Sequence, residues 1–485
     1  MLKITESNKR NWLYIISGLF LILMSYFIVK EKYWLSAAVP GFLILAYLYV
    51  YRLDQVVLLT AFLTPLAVKL SDMDMGVSIS LPTEPLLFGI LVVFLIKALF
   101  ENSYDIRILK HPITIALFIN LAWMFFTTVT SELPFVSLKY FISRLWFVVP
   151  FFFVGVMLFK DVKNLKRFVW LYVAALIIVI VRTTYIHAIN GFTAQVAHWA
   201  VRPFYNDHTA YGAIIAFFLP ITVGFTLYKE NSIRYRWMAF SASAVLFVAL
   251  ILSNSRAAWL SIVVAIGIFV ILKLKIKFRY IFGIFAVFVV LFFSFQTQIV
   301  DTLERNKQDS SADIVEQIQS MYNISTDASN LERINRWQSA IRLFKERPFL
   351  GWGPGTYQFV YAPYQMSKEK TIISTNFGDM GNAHSEYLGP LAESGVLGTF
   401  TVLILIIVVL NRALRLYKYS DNKEVRFLSL IAMLSLSTYY FHGLLNNFLD
   451  SDKLSVPVWG IIALVVALDV FHNKKGKNIS ETTQS

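Results

Sequence analysis

His384, Arg333 and Arg256 are the residues whose types and settings could do chemistry in this sequence. His384 sits in NAHSE, just before a long apolar run, where an imidazole can act as base or donor near neutral pH. Arg256 stands in SNSRAAW, where one apolar run passes into the next with hardly a loop between them. A charge at that depth is costly without a partner, which marks a functional position. Arg333 lies in SNLERINRW, close to the start of a predicted helix whose N–H groups and dipole also favour an anion. Lys139 and Arg144 in FVSLKYFISRLW, and Arg202 in VRPFYNDH, are expected on the same side of a membrane. Arginines converging on one face, without an acidic cage, describe a binding site for a phosphate or pyrophosphate. Arg336 and Asn382 flank the two main candidates and are further substrate contacts. For Arg336, Arg342 and Lys345 the plainer alternative is an amphipathic surface helix with its bases toward lipid headgroups. There is no HExxH, and His198 and His208 lie ten apart in another loop, so neither metal nor cofactor is expected.

The elements that must position these residues are membrane helices. Of the 485 residues 57% are hydrophobic and only 15% charged, against about a quarter charged in soluble domains. Apolar segments fall at about 12–29, 33–51, 55–70, 85–100, 112–130, 135–159, 165–188, 209–228, 237–253, 257–275, 279–298, 386–411, 426–447 and 453–471. The expected fold is an all-α polytopic membrane protein with about 12–14 transmembrane helices, fourteen by hydropathy. Lys3, Lys9 and Arg10 precede the first segment, with no small-residue cleavage site after it, which favours a retained helix over a cleaved signal peptide. Cysteine is absent, excluding disulfides and thiolate chemistry. The net charge of +14 comes from bases in short connecting loops, which the positive-inside rule explains without a nucleic-acid partner.

With both termini in the cytoplasm, every short loop holding three or more bases faces inward, and 189–208, 253–259 and about 299–388 face outward. This gives a transmembrane body at 1–298, an extracytoplasmic (periplasmic) loop domain at 299–388, C-terminal transmembrane helices at 389–472 and a cytoplasmic tail at 473–485. Ser329 and Glu332 fit a capping box that would start a helix near Asn330, with Ile334, Trp337, Ile341 and Phe344 along one stripe. Pro348 should end that helix. The glycines of PFLGWGPGTYQF fit a structural turn better than a phosphate loop, since no Lys-Ser/Thr follows.

Three segments, NSRAAWL, RINRWQSAIRLFKERPFLGWGPGTY and NAHSEYLGPLAESGVLG, resemble in order the motifs of the bacterial O-antigen ligase and O-antigen polymerase superfamily. The resemblance covers about 250–400. It implies a metal-independent integral-membrane glycosyltransferase of GT-C-like architecture, moving a glycan from undecaprenyl pyrophosphate to an acceptor hydroxyl outside the cytoplasmic membrane. The acceptor would be lipid A-core in a ligase, a second repeat unit in a polymerase, or a protein hydroxyl. On this resemblance Arg256 and Arg333 match the arginines thought to hold the donor pyrophosphate, and His384 the histidine that serves the acceptor or leaving group. The Gly-Trp-Gly turn departs from the family's pattern by adding bulk. A flippase for an anionic lipid is the rival reading, and it leaves the long outward loop unexplained.

Overall fold

The computed structural model describes residues 6–70, 79–100, 104–277, 283, 294, 331–371, 374 and 381–473. The chain divides into two compact units, Met1–Val56 and Val57–Ser485. In the first, α1 (Glu6–Val29) and α2 (Tyr33–Tyr51) are apolar helices packed on each other. Ile22, Phe42 and Tyr47 among their side chains are exposed, as suits helices whose solvent is lipid rather than water.

The second unit begins within α3 (Leu53–Leu63), and here the structure departs from the sequence reading. The expected span at 55–70 is an eleven-residue helix ended by a tight turn at Thr64–Leu66. Pro65 in that turn has no N–H with which to continue the helix. The chain then runs as β1 (Val68–Leu70), paired antiparallel with β2 (Ile79–Leu81), Lys69 opposite Ser80. An eleven-residue helix is about 16 Å long, too short to cross about 30 Å of hydrocarbon.

Helices follow as α4 (Thr83–Phe100), α5 (Ile106–Leu109), α6 (Pro112–Val129), α7 (Pro134–Val148), α8 (Gly155–Leu158), α9 (Val162–Ile189), α10 (Ala194–Ala200), α11 (His208–Leu227), α12 (Ile233–Leu252) and α13 (Arg256–Lys273). After them come α14 over 331–346, α15 (Tyr357–Val360), α16 (Leu388–Tyr419), α17 (Lys423–His442) and α18 (Asp452–Ala467). Among the described residues nine helical runs are long and apolar enough to cross a membrane, the π-helical stretch Val149–Val154 joining α7 to α8 in one of them. The architecture is that of an all-α membrane protein. The expected segment at 279–298 lies almost wholly outside the described residues, as do Ser329 and Asn330 of the proposed helix cap, and 299–330 with them.

α11 and α18 are the innermost helices. α11 packs against α12, α13 and α17, and α16 against α6 and α17. The approach of α11 to α17 is close because a Cβ on Gly224 would lie 2.4 Å from Ile431. Polar side chains then bond across the seams: Asn120 to Thr401 at 2.9 Å, Ser435 to the Phe217 carbonyl at 2.6 Å, and Tyr172 to the Lys453 carbonyl at 2.6 Å. Such bonds contribute about 0.6 kcal/mol each between membrane helices. Their larger effect is to fix which helix faces meet, and so where the polar cluster above them stands.

Candidate active site

α14 turns its polar side inward, the reverse of the expected amphipathic arrangement. Glu332, Asn335, Arg336, Ser339, Ala340 and Leu343 are buried, whereas Ile334, Trp337, Ile341 and Phe344 are only half-buried. The reason is a set of internal partners. Arg336 bonds Glu332 at 2.6 Å and lies over the Tyr361 ring at 3.9 Å, and Asn335 bonds Gln365 at 2.7 Å. Arg342 bonds Glu369 at 2.5 Å and the Tyr364 carbonyl at 2.7 Å. Arg336 and Arg342 therefore fasten α14 to the segment beyond it, instead of facing lipid headgroups. Neither lines the cavity described below. Lys345 remains exposed.

Arg333, on the same helix, is placed differently. Its Nε donates to the Leu445 carbonyl at 3.3 Å, in the loop that follows α17. Burial lowers its pKa, and the Asp207 carboxylate opposes that fall. Asp207 is the N-cap of α11 and accepts from the N–H groups of Thr209 and Ala210, both at 2.8 Å, and from the Thr209 hydroxyl. Three donors converge on one oxygen and fix this carboxylate in place.

His384 adopts a φ of 48°, the left-handed region that few residues other than glycine enter, at an expense of about 1–3 kcal/mol. Its N–H bonds the Asn382 side chain at 3.0 Å, and its carbonyl receives the Trp337 indole N–H at 3.4 Å. Next to it, the Ser385 hydroxyl accepts from the N–H groups of Tyr387 and Leu388, both at 3.3 Å, at the start of α16. The turn thus throws the imidazole of His384 toward α14 and not along α16. Burial, then the charges of Arg333 and Arg336, hold His384 down to about 4, with Glu332 and Asp207 pulling the other way. The free protein therefore carries this histidine neutral from about pH 5 upward.

His442 and His208 complete the cluster, and both lie within the field of Arg333 and Asp207. His442 is buried at the end of α17, bonded to Asn446 at 3.1 Å and in contact with the backbone of Ala257. His208 stacks on His198 with ring centroids 4.0 Å apart. Arg256 is the first residue of α13 and is exposed, one residue from the Ala257 backbone that meets His442. The structure thus brings Arg333 and His384 together, with Arg256 at the cluster's edge. His442 was not singled out from the sequence; an ionisable residue at the end of an apolar run was the available signal.

Beside the cluster opens a cavity of about 1310 Å³. Asp207, Ala383 and Ser385 lie on its wall, so His384 stands between two lining residues. Lys139, Arg144, Arg202 and Asn382 all line it. Lys139 and Arg202 are exposed, whereas Arg144 is buried and bonds Tyr140 at 2.8 Å, Asp450 at 3.1 Å and the Leu449 carbonyl at 3.2 Å. Glu386 accepts from the N–H groups of Phe448 at 2.8 Å and Leu449 at 2.9 Å, and from the Tyr439 hydroxyl at 2.5 Å. Burial, then the charge of Asp450, raises its pKa. Glu386 and Arg144 together hold the loop whose Leu445 carbonyl receives Arg333. Among the described residues no group of three His, Cys, Asp or Glu is arranged to hold a metal ion.

The glycine turn packs into this frame. Gly351, Gly353 and Gly355 take φ of 66°, 110° and 75°. The N–H groups of Trp352 and Gly353 donate to the carbonyls of Ala392 and Glu393 at 3.1 and 2.7 Å, and that of Tyr357 to the Glu393 side chain at 3.0 Å. α16 is itself broken at Gly395, φ 70° and ψ −170°, where Val396 bonds the Pro348 carbonyl at 2.9 Å. These N–H groups are spent on α16, so the segment is a turn and not a phosphate cradle. A Cβ on Gly353 would lie 1.9 Å from the Ser131 hydroxyl. Gly353→Ala is expected to destabilise the fold by about 1–3 kcal/mol or more through φ strain and this clash. A lowered melting temperature of the purified protein in detergent is the check.

Residues 241–403 match the family model described as O-antigen ligase. The match is about a third of the chain and holds the Arg256, Arg333 and His384 segments; it supports membership of the O-antigen ligase/polymerase superfamily. A Haemophilus influenzae protein described as uncharacterized is 22% identical over 244 residues, 50% of this chain and 58% of that relative's length.

Proposed function

We propose that this protein transfers a glycan from undecaprenyl pyrophosphate to an acceptor hydroxyl at the outer face of the bacterial cytoplasmic membrane, with lipid A-core as the acceptor. The observation that carries the reading is the meeting of Arg333 and His384 beside a cavity of about 1310 Å³ whose wall includes Asp207, Ala383 and Ser385, with both residues inside the segment matched by the family model. In this reading both termini are cytoplasmic, the body is GT-C-like, and the region around 299–388 lies over the cavity on the periplasmic side.

The chemistry follows from the charges. The acceptor oxygen attacks the anomeric carbon, the bond from that carbon to the pyrophosphate oxygen breaks, and the electron pair leaves with the lipid pyrophosphate. His384 takes the hydroxyl proton. Arg333, with Arg256 and Arg202 from the edge and the cavity wall, stabilises the growing negative charge without having to reorganise. The pyrophosphate itself helps the base: its charge offsets the Arg333 and Arg336 fields that hold the imidazole neutral, so His384 binds a proton more readily with donor bound. The matched family is described as O-antigen ligase, and polymerases belong to the same superfamily. Reconstitution with a purified undecaprenyl-linked glycan, offering lipid A-core and a second donor repeat as competing acceptors, separates them. A lipid A-core product is expected; a lengthened lipid-linked glycan alone would make the protein a polymerase, and consumption of neither would count against transfer.

A further inference from the structure

The cavity is chemically divided, and one wall has no part in the mechanism above. α18 contributes Asp452 and, seven residues on, Trp459, which are 1% and 4% exposed. Seven residues of helix place them about 10 Å apart along one line of the cavity. Among the described residues, Oδ2 of Asp452 and Nε1 of Trp459 are buried without a hydrogen-bond partner. The Tyr440 hydroxyl and Asn447 Oδ1, also on the lining, are in the same condition. Each such atom costs about 1–3 kcal/mol if nothing answers it. Groups around them are already satisfied: Lys453 bonds the carbonyls of Thr64 and Ala67 at 2.6 and 2.7 Å, and Asp450 bonds Tyr140 at 2.8 Å.

What would answer these atoms is set by their mixture. A carboxylate and an amide oxygen accept, an indole N–H donates, and a phenol does both. A phosphate would be repelled by the Asp452 carboxylate. A hydrocarbon chain would leave all four unpaired. Hydroxyl groups donate to the first kind of atom and accept from the second, and a sugar ring's C–H face suits an indole.

We propose that the wall from Asp452 to Trp459 is a carbohydrate subsite that holds the uncharged, hydroxyl-rich sugar of the donor, while the Arg333–His384 cluster holds its pyrophosphate. This rests on the glycan-transfer reading and adds where the sugar lies and what selects it.

The test is binding to the purified full-length protein, with two probes: oligosaccharide released by mild acid from the strain's own polyprenyl-linked glycan, and undecaprenyl pyrophosphate bearing no sugar. Trp459→Phe, which removes the indole N–H with its five-membered ring and keeps one aromatic ring, and Asp452→Asn are each expected to weaken oligosaccharide binding about ten-fold and to leave the sugar-free lipid's binding unchanged. Arg333→Ala should do the reverse. Should Asp452→Asn fail to fold, Tyr440→Phe at the half-buried rim supplies the same comparison. Oligosaccharide affinity that is unmoved by these changes, or equal loss for both probes, overturns the subsite. Normal oligosaccharide binding without any transfer would instead count against the transferase reading alone.

Discussion

Replacing Arg333 with alanine is expected to slow glycan transfer about 10²–10³-fold, the usual loss when one preorganised donor to a developing anion is removed, with protein levels near wild type. The size follows from where the guanidinium sits. It is carried on α14, held to the Leu445 carbonyl, and set in the field of Asp207 and three histidines. Burial disfavours its charge, so a bound pyrophosphate gains more from it than from an exposed base such as Lys139 or Arg202. Arg333→Lys keeps the charge but loses the planar fork, and should recover only part of the rate. Turnover in proteoliposomes, normalised to folded protein, is the measurement. Wild-type turnover in Arg333→Ala would remove the anion site from this cluster.

His384→Ala is expected to lower the rate about 10²–10⁴-fold, the range for loss of a positioned base. The pH profile separates a catalytic imidazole from a structural one. In the free protein His384 is held down to about 4 by burial and the two arginines. A group with a lowered pKa keeps its basic form as pH falls through 6.5 and loses it near 4. The acid limb of kcat/KM, which reports the free protein, should therefore fall near pH 4. The acid limb of kcat should lie higher, because bound pyrophosphate offsets the arginine charge. An acid limb of kcat/KM at 6.5 would place the titrating group elsewhere.

The fold was legible wherever lipid dictated it. Long apolar runs become helices because an unpaired backbone is too costly in hydrocarbon, and α4, α6, α9, α11, α12, α13 and α16 answer to that rule. It misled at 55–70, where hydropathy could not weigh Pro65 against the apolar residues around it. Arg333 and His384 were legible as charges and imidazoles beside apolar runs. The inward polar face of α14 was not, because Glu369, Tyr361 and Gln365 are its partners and their distance in sequence hides them. His442, Asp207 and Asp452 were obscured for a similar reason. Each sits at a helix end, where a polar residue is ordinary, and only tertiary packing turns those ends toward one cavity.

The central claim is that one site, built around Arg333 and His384, moves a glycan off a polyprenyl pyrophosphate. Its most direct test is a proteoliposome assay with donor labelled in both lipid and sugar, comparing wild type with Arg256→Ala, Arg333→Ala and His384→Ala. Release of sugar-free undecaprenyl pyrophosphate in step with glycosylated acceptor, lost in the three variants, is the predicted result. Undiminished coupled release in any two of the three variants would contradict it.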